Sequence, residues 1–197
     1  MKLVNQRLNF YLRNLESDAP APGGGSVSAL AGAEGAALLG MVCNLTTSKE
    51  RYAQHHELVN GIYQRIDELT EELTAAIDAD TEAFNLVAAA YKMPNGEKRS
   101  EAIKAGTLEA TKVPFHVMEM SLECLKLAEK LKGHYNINCD SDFGVALLNL
   151  VAAMKGAWLN VRINLPGLKD EELEAKYEKA GLAMLNEGEA IAEKLAI

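Results

Sequence analysis

The stretch HELVNGIYQRIDELTEELTAAIDADTEAFNLVAAAY, residues 56–91, decides the fold. Its apolar residues Leu58, Ile62, Ile66, Leu69, Leu73, Ala76, Phe84, Val87 and Tyr91 recur at spacings of three and four, the repeat of a long helix with one buried stripe. Pro94-Asn95-Gly96 stops it. The position that continues the stripe between Ala76 and Phe84 is not apolar: it is Asp80.

The acidic residues Asp67, Glu68, Glu71 and Glu72 fall on the solvated side of this helix, whereas Asp80 falls where the core is expected. A carboxyl there is partly desolvated and its pKa is raised. Two readings stand side by side. Asp80 is a proton-transfer group, or it is a paired or capping carboxylate inside a bundle. Asp78 lies off the stripe and reads as a surface residue or a supporting partner.

Upstream, Pro20-Ala21-Pro22-Gly23-Gly24-Gly25-Ser26 is a loop of rigid and then permissive residues, with Ser26 placed to cap the helix that follows. That helix, to about Thr47, is built almost wholly from Ala, Gly, Ser, Leu, Val and Met. Glycines at 32, 35 and 40 each lower helix propensity by about 1 kcal/mol relative to Ala. Close approach of a neighbouring helix or ligand explains their presence, and the free N–H groups at the helix start suit an anion. Before the loop, residues 2–15 read as an amphipathic helix with Leu3, Val4, Leu8, Tyr11, Leu12 and Leu15 on one side.

Downstream, residues 97–132 give a second long helix with Ile103, Val113, Val117, Leu127 and Leu131 as core; Pro114 is expected to kink or divide it. Lys112 and His116 flank that proline, and such a lone histidine is usually structural or exposed. Gly133–Asp142 is a polar loop leading into an apolar helix, Phe143 to Asn164, ended by Pro166-Gly167. Asp140 or Ser141 can cap that helix, but capping does not account for Asn136, Asn138, Asp140, Ser141 and Asp142 together. A last packing helix runs from Asp170 to about Ala196. The expected architecture is all-α: a single domain, 1–197, formed as a bundle of long helices kinked near Pro114.

Composition narrows the function. A formal net charge of −8 without a basic stripe argues against nucleic acid. Three widely spaced cysteines without a CxxC pair indicate reduced thiols in a cytoplasmic protein. The first residues contain Asn, Gln and two Arg where a signal peptide needs an apolar core. No membrane span is expected of Val27–Thr47, because Glu34 interrupts a run of mostly Ala and Gly. No Glu-x-x-His pair, zinc-like Cys/His cluster, Walker lysine or Gly-x-Ser-x-Gly elbow is present, so no metal is expected. A glycine-rich loop, a carboxylate on a buried stripe and an Asn/Ser/Asp loop remain. That set suits a polar, carboxylated small molecule on which protons are moved.

Four segments together resemble the cyclodeaminase/cyclohydrolase family of folate enzymes: Pro20-x-Pro22-Gly23-Gly24-Gly25-Ser26-Val27, Asp78-Ala79-Asp80-Thr81-Glu82-Ala83-Phe84, Asn136-x-Asn138-x-x-Ser141-Asp142-x-Gly144-Val145-Ala146 and Asn160-Val161-Arg162-Ile163-Asn164. They span essentially the whole chain in family order, and the resemblance is to the free-standing form, in which no formiminotransferase domain is expected. The resemblance implies an all-helical homodimer with sites near the subunit interface. It implies a tetrahydrofolate derivative as substrate and no further cofactor. Asp80 becomes the catalytic acid/base, and Gly23, Gly24, Gly25 and Ser26 the backbone cradle for a polar part of the folate. Asn138, Ser141 and Asp142 become candidates to orient pterin or water, with a buried structural role for Asn138 and a cap role for Ser141 still open. Lys112 and Arg162 become candidates for the glutamate tail. Methenyltetrahydrofolate cyclohydrolysis and formiminotetrahydrofolate cyclodeamination both fit; the alternative is a non-catalytic folate- or small-anion-binding helical protein.

Overall fold

A computed structural model describes residues 2–195. After a 3-10 turn at Leu3–Asn5 come α1 (Leu8–Glu16), α2 (Gly24–Thr47), a 3-10 turn at Glu50–His55, α3 (His56–Tyr91), α4 (Glu97–Leu131), a 3-10 turn at Ile137–Cys139, α5 (Asp140–Leu168) and α6 (Glu171–Leu195). No strand occurs among the described residues, so the all-α expectation holds.

Helices α2 to α5 form an up-down-up-down bundle. The directions follow from side-chain pairings. Ser26 meets Asp80 while Gly40 meets Tyr63, Gly106 meets Val87 while Glu123 meets Arg65, and Gly24 meets Asn160 while Gly35 meets Leu150. Each adjacent pair is therefore antiparallel. Helix α6 lies outside on α4 and α5, with Gly181 against Trp158 and Gly188 against Met154. The core holds Leu39, Ile66, Leu69, Leu73, Met118, Leu125, Phe143 and Leu150, all fully buried. Each such side chain contributes roughly 1.5–3 kcal/mol through removal from water.

Small residues in α2 set the helix spacing. A Cβ on Gly35 would stand 3.0 Å from the Ala146 carbonyl, and one on Gly32 2.9 Å from Leu73. Gly40 is different, since its nearest neighbour would be 3.7 Å away. Helix α2 and the 137–168 segment are each long and apolar enough by composition to cross a membrane, but their inner faces are packed within the bundle.

Several expectations change. The N-terminal segment breaks into a turn and a short α1, of which only Tyr11 is buried; Leu8 is 66% and Leu12 51% exposed. On α3 the buried stripe runs through Val59, Ile62, Ile66, Leu69, Leu73, Ala76, Ala83 and Ala90, while Leu58, Phe84 and Tyr91 are exposed. Large side chains drew the pattern one residue off at both ends, although position 80 stays in register. Helix α4 is not divided at Pro114. The proline leaves the Ala110 carbonyl without its helical donor, and Asn164 Nδ2 on α5 supplies one at 2.8 Å. Helix α5 starts at Asp140 and continues through Pro166 to Leu168, ending on a left-handed Lys169. The expected end of the last helix at Ala196 lies outside the described residues.

Candidate active site

The start of α2 receives an anion, and that anion is the chain's own Asp80. Ser26 is not the helix cap. Gly23 occupies that position, and Ser26 is the third residue of α2, with its N–H still free of an intrahelical partner. This N–H donates to Asp80 Oδ2 at 2.9 Å, and Ser26 Oγ lies 3.0 Å from the same oxygen. Gly25 makes the approach possible. A Cβ there would fall 1.9 Å from Asp80 Oδ1.

The Ser26 hydroxyl has one hydrogen and several neighbours. Oγ is 2.9 Å from the Ile77 carbonyl and 3.3 Å from Thr81 Oγ1, besides its contact with Asp80. With Asp80 ionised, the hydroxyl donates to the carboxylate. With Asp80 protonated, the acid donates to Oγ and Ser26 turns its hydrogen to Ile77. Both protonation states are thus accommodated without moving a heavy atom. Burial raises the Asp80 pKa, and the Ser26 side-chain and backbone bonds only partly oppose it. A half-buried carboxyl above its ordinary range, held at a helix N-terminus, is equipped to take and return a proton.

Asp78 proves to be neither a surface residue nor a partner of Asp80. It is buried and accepts the Leu3 N–H at 2.6 Å and the Val4 N–H at 3.4 Å, pinning the N-terminal turn to α3. Asn160 was passed over as a site candidate. Its amide lies beside Gly24, where a Cβ would meet Nδ2 at 3.2 Å, and Nδ2 donates to the Gly156 carbonyl. Its place in the Asn160-Val161-Arg162-Ile163-Asn164 segment was the available signal.

The remaining candidates are spread over the molecule. Arg162 is exposed on the stretch of α5 beside the Asp80 end of the bundle. Lys112 is exposed, paired with Glu109 at 2.7 Å, and lines a cleft of about 600 Å³ between α4 and α6 rather than the Asp80 site. His116 lines the same cleft and is paired with Glu119. The Asn136–Asp142 loop is latched to the far end of α2. Asn136 N–H donates to Thr46 Oγ1 at 2.9 Å, its Nδ2 to the Leu45 carbonyl, and its Oδ1 accepts from Arg51 and Tyr52. Twenty residues of α2 separate Ser26 from Thr46, about 30 Å at 1.5 Å per residue. Within one chain the loop and Asp80 therefore do not meet. Asn138 is exposed rather than buried, and Ser141 is exposed and makes no cap bond, because Cys139 holds the cap position of α5.

The sequence profile of the formiminotransferase-cyclodeaminase family matches residues 7–181. The chain belongs to this family. A methenyltetrahydrofolate cyclohydrolase of Methylorubrum extorquens is 35% identical over 196 residues, covering 97% of this chain and 94% of the relative. The formimidoyltransferase-cyclodeaminase of Gallus gallus is 32% identical, but this chain spans only 35% of that longer protein. The crystal structure of a formiminotetrahydrofolate cyclodeaminase from Thermotoga maritima superposes with a TM-score of 0.83 at 29% identity, covering 97% of this chain and 92% of that one.

Proposed function

We propose that this chain is a folate one-carbon enzyme that hydrolyses 5,10-methenyltetrahydrofolate, with Asp80 as its acid–base group. The observation that carries the reading is the clasp of Asp80 by Ser26 at the start of α2, in a chain matching a cyclohydrolase over nearly its whole length. Water adds to the carbon bridging the two folate nitrogens while its proton passes to the Asp80 carboxylate. As the carbon–nitrogen bond breaks, the acid returns that proton to the departing nitrogen, and the added hydroxyl releases its own proton to solvent as its oxygen becomes the formyl carbonyl, leaving a formyltetrahydrofolate. Desolvation makes Asp80 a stronger base than a surface aspartate, and the Ser26 hydroxyl follows its charge. The likeness to the Thermotoga maritima enzyme favours a second reading, cyclodeamination, in which protonated Asp80 delivers its proton to departing ammonia.

Gly23, Gly24 and Gly25 are assigned to the wall of the folate site, where they let substrate approach α2 closely; Asp80 already takes the Ser26 N–H. Arg162 is assigned to the glutamate tail. Lys112 is remote from Asp80 within the chain, and its pairing with Glu109 weakens its claim. The protein acts in the cytoplasm as a homodimer. Support comes from one exposed apolar stripe on α5, with Val145, Leu148, Leu159 and Ile163 at 47, 72, 64 and 79% exposure. A two-fold axis perpendicular to α5 at this stripe sets two α5 helices antiparallel. The Asn136–Asp142 loop of one copy then comes to the Asp80 end of the other. Asn138, Ser141 and Asp142, which have free side chains, serve the site from there.

The test follows methenyltetrahydrofolate absorbance with purified protein, started from the methenyl and from the formimino compound. Decay of the first above the uncatalysed rate supports hydrolysis, and appearance from the second supports cyclodeamination. No change with either refutes the enzyme reading. For the shared site, inactive Asp80→Asn and Asp142→Ala chains are mixed and re-associated. Recovered turnover supports a site built by two copies, and a mixture as inactive as its parents refutes it.

A further inference from the structure

A threonine inside a helix can donate its hydroxyl to the carbonyl four residues back. On α3, Thr70 does so to Ile66 at 2.8 Å and Thr74 to Thr70 at 2.7 Å. Thr81 departs from this pattern. The Ile77 carbonyl, four residues before it, has Ser26 Oγ at 2.9 Å instead, and Thr81 Oγ1 stands 3.3 Å from Ser26 Oγ. Among the described residues this is the one hydrogen bond of the Thr81 hydroxyl. Ser26 is fully buried, and its third oxygen neighbour is Asp80 Oδ2 at 3.0 Å. A hydroxyl offers one hydrogen and two lone pairs. Ionised Asp80 takes the hydrogen, because a charged acceptor is stronger than the Ile77 carbonyl, which already has its helical N–H. Carboxylate and carbonyl can then only accept, so Thr81 is the one neighbour able to donate to Ser26 Oγ. When Asp80 is protonated, the acid itself donates there and Ser26 turns to Ile77. The Thr81 donation is then dispensable.

We propose that Thr81 is a positioning residue of the Asp80 site: its O–H donates to Ser26 Oγ and completes a hydrogen-bond chain, from Thr81 through Ser26 to Asp80, that favours the ionised carboxylate. Bonds in such a chain polarise one another. The inference rests on the hydrolytic reading, in which the ionised form begins the reaction. Thr81 transfers no proton and acts only through Ser26. Tyr11 on α1, whose phenol is raised by burial and then by the charges of Asp80 and Glu34, stays protonated at neutral pH and leaves this balance unchanged.

Thr81→Val keeps the branched shape and removes the donor, and Thr81→Ser keeps the donor. Two readouts apply: the acid limb of kcat/KM for methenyl hydrolysis, and the Asp80 carboxyl titrated by carbon NMR in aspartate-labelled protein. In Thr81→Val both should move to higher pH. Turnover on the acid side of the limb should fall by about two- to tenfold, the factor that one net hydrogen bond supplies. Thr81→Ser should titrate as wild type does. An unmoved Asp80 titration in Thr81→Val overturns the inference. So does an equal shift in Thr81→Ser, which traces the effect to packing and not to the hydroxyl. Should Thr81→Val fail to fold, Thr81→Ala is held to the same outcomes. The NMR titration needs no substrate, so the two claims separate. Wild type without turnover refutes the folate reading itself, whereas active wild type with an unmoved titration in Thr81→Val refutes only the role of Thr81.

Discussion

Replacing Gly25 by alanine tests the Asp80 clasp with a single methyl group. The added Cβ would lie 1.9 Å from Oδ1, 2.4 Å from Cγ and 2.7 Å from Oδ2, whereas ordinary contact begins at 3.4 Å. The carboxyl group must therefore retreat by about 1.5 Å, which breaks its two bonds to Ser26. Hydrogen bonds to a charged group contribute about 1.5–3 kcal/mol each. Two terms offset this loss: the helix gains up to about 1 kcal/mol from Ala over Gly, and the displaced carboxylate recovers hydration. The net change in stability is small, within about 2 kcal/mol on these terms. Catalysis has no such offset, because a misplacement of about 1 Å costs on the order of 100-fold. Gly25→Ala should thus fold normally and lose about 100-fold in turnover of methenyltetrahydrofolate. Gly40→Ala is the control, since its Cβ meets nothing closer than 3.7 Å; it should be fully active and more stable by up to about 1 kcal/mol. A Gly25→Ala enzyme retaining a third or more of wild-type turnover would refute the clasp as the source of activity.

Asp80→Asn should cost about 10²–10⁴ in rate while raising the melting temperature at pH 7. The sign follows from the raised pKa: the folded state holds the proton more tightly, so stability is lost as pH rises from the ordinary 3.8 through the folded value. The melting advantage of the Asn variant should vanish in acid, and an Asn variant less stable than wild type at pH 7 contradicts the desolvation argument. Asn164→Leu should destabilise by about 1–3 kcal/mol in urea titrations, because it strands the Ala110 carbonyl. Adding Pro114→Ala restores a helical N–H to that carbonyl and should remove most of the loss. Equal losses in both backgrounds would show that Asn164 acts otherwise.

Periodicity made the bundle legible because helix repeats are local. The α3 limits and the inward register of Asp80 could be read from spacings alone. The pattern failed where large side chains sat beside the buried track, as with Phe84 next to Ala83, because alanine carries little signal although it packs well. Pro114 and Pro166 looked like breaks because sequence shows the lost N–H but not what replaces it; for Pro114 that is a distant amide on α5. The glycine loop reads as a cradle for a ligand anion, whereas the Ser26 N–H is taken by a carboxylate of the chain itself. That carboxylate, 54 residues away, could be found only from tertiary structure. That the Asn136–Asp142 loop and Asp80 lie at opposite ends of α2 within one chain could not be read, because sequence order carries no distance.

The opposition within Asp80 itself yields the last prediction. Desolvation raises its pKa, while the Ser26 side-chain and backbone bonds lower it. Ser26→Ala removes the side-chain bond but keeps the backbone N–H and the packing against Ile77. The lowering influence shrinks and desolvation is unchanged, so the pKa must climb further. If ionised Asp80 is the base in hydrolysis, the acid limb of kcat/KM moves to higher pH, and activity lost near neutrality returns in alkali. If protonated Asp80 is the required form, as in cyclodeamination, the alkaline limb moves up instead and activity near neutrality is kept. A uniform loss at every pH, with no displaced limb, would mean that Ser26 only positions Asp80 and that its hydroxyl does not answer to the charge. The pH profile of one alanine variant thus separates base, acid and scaffold at the start of α2.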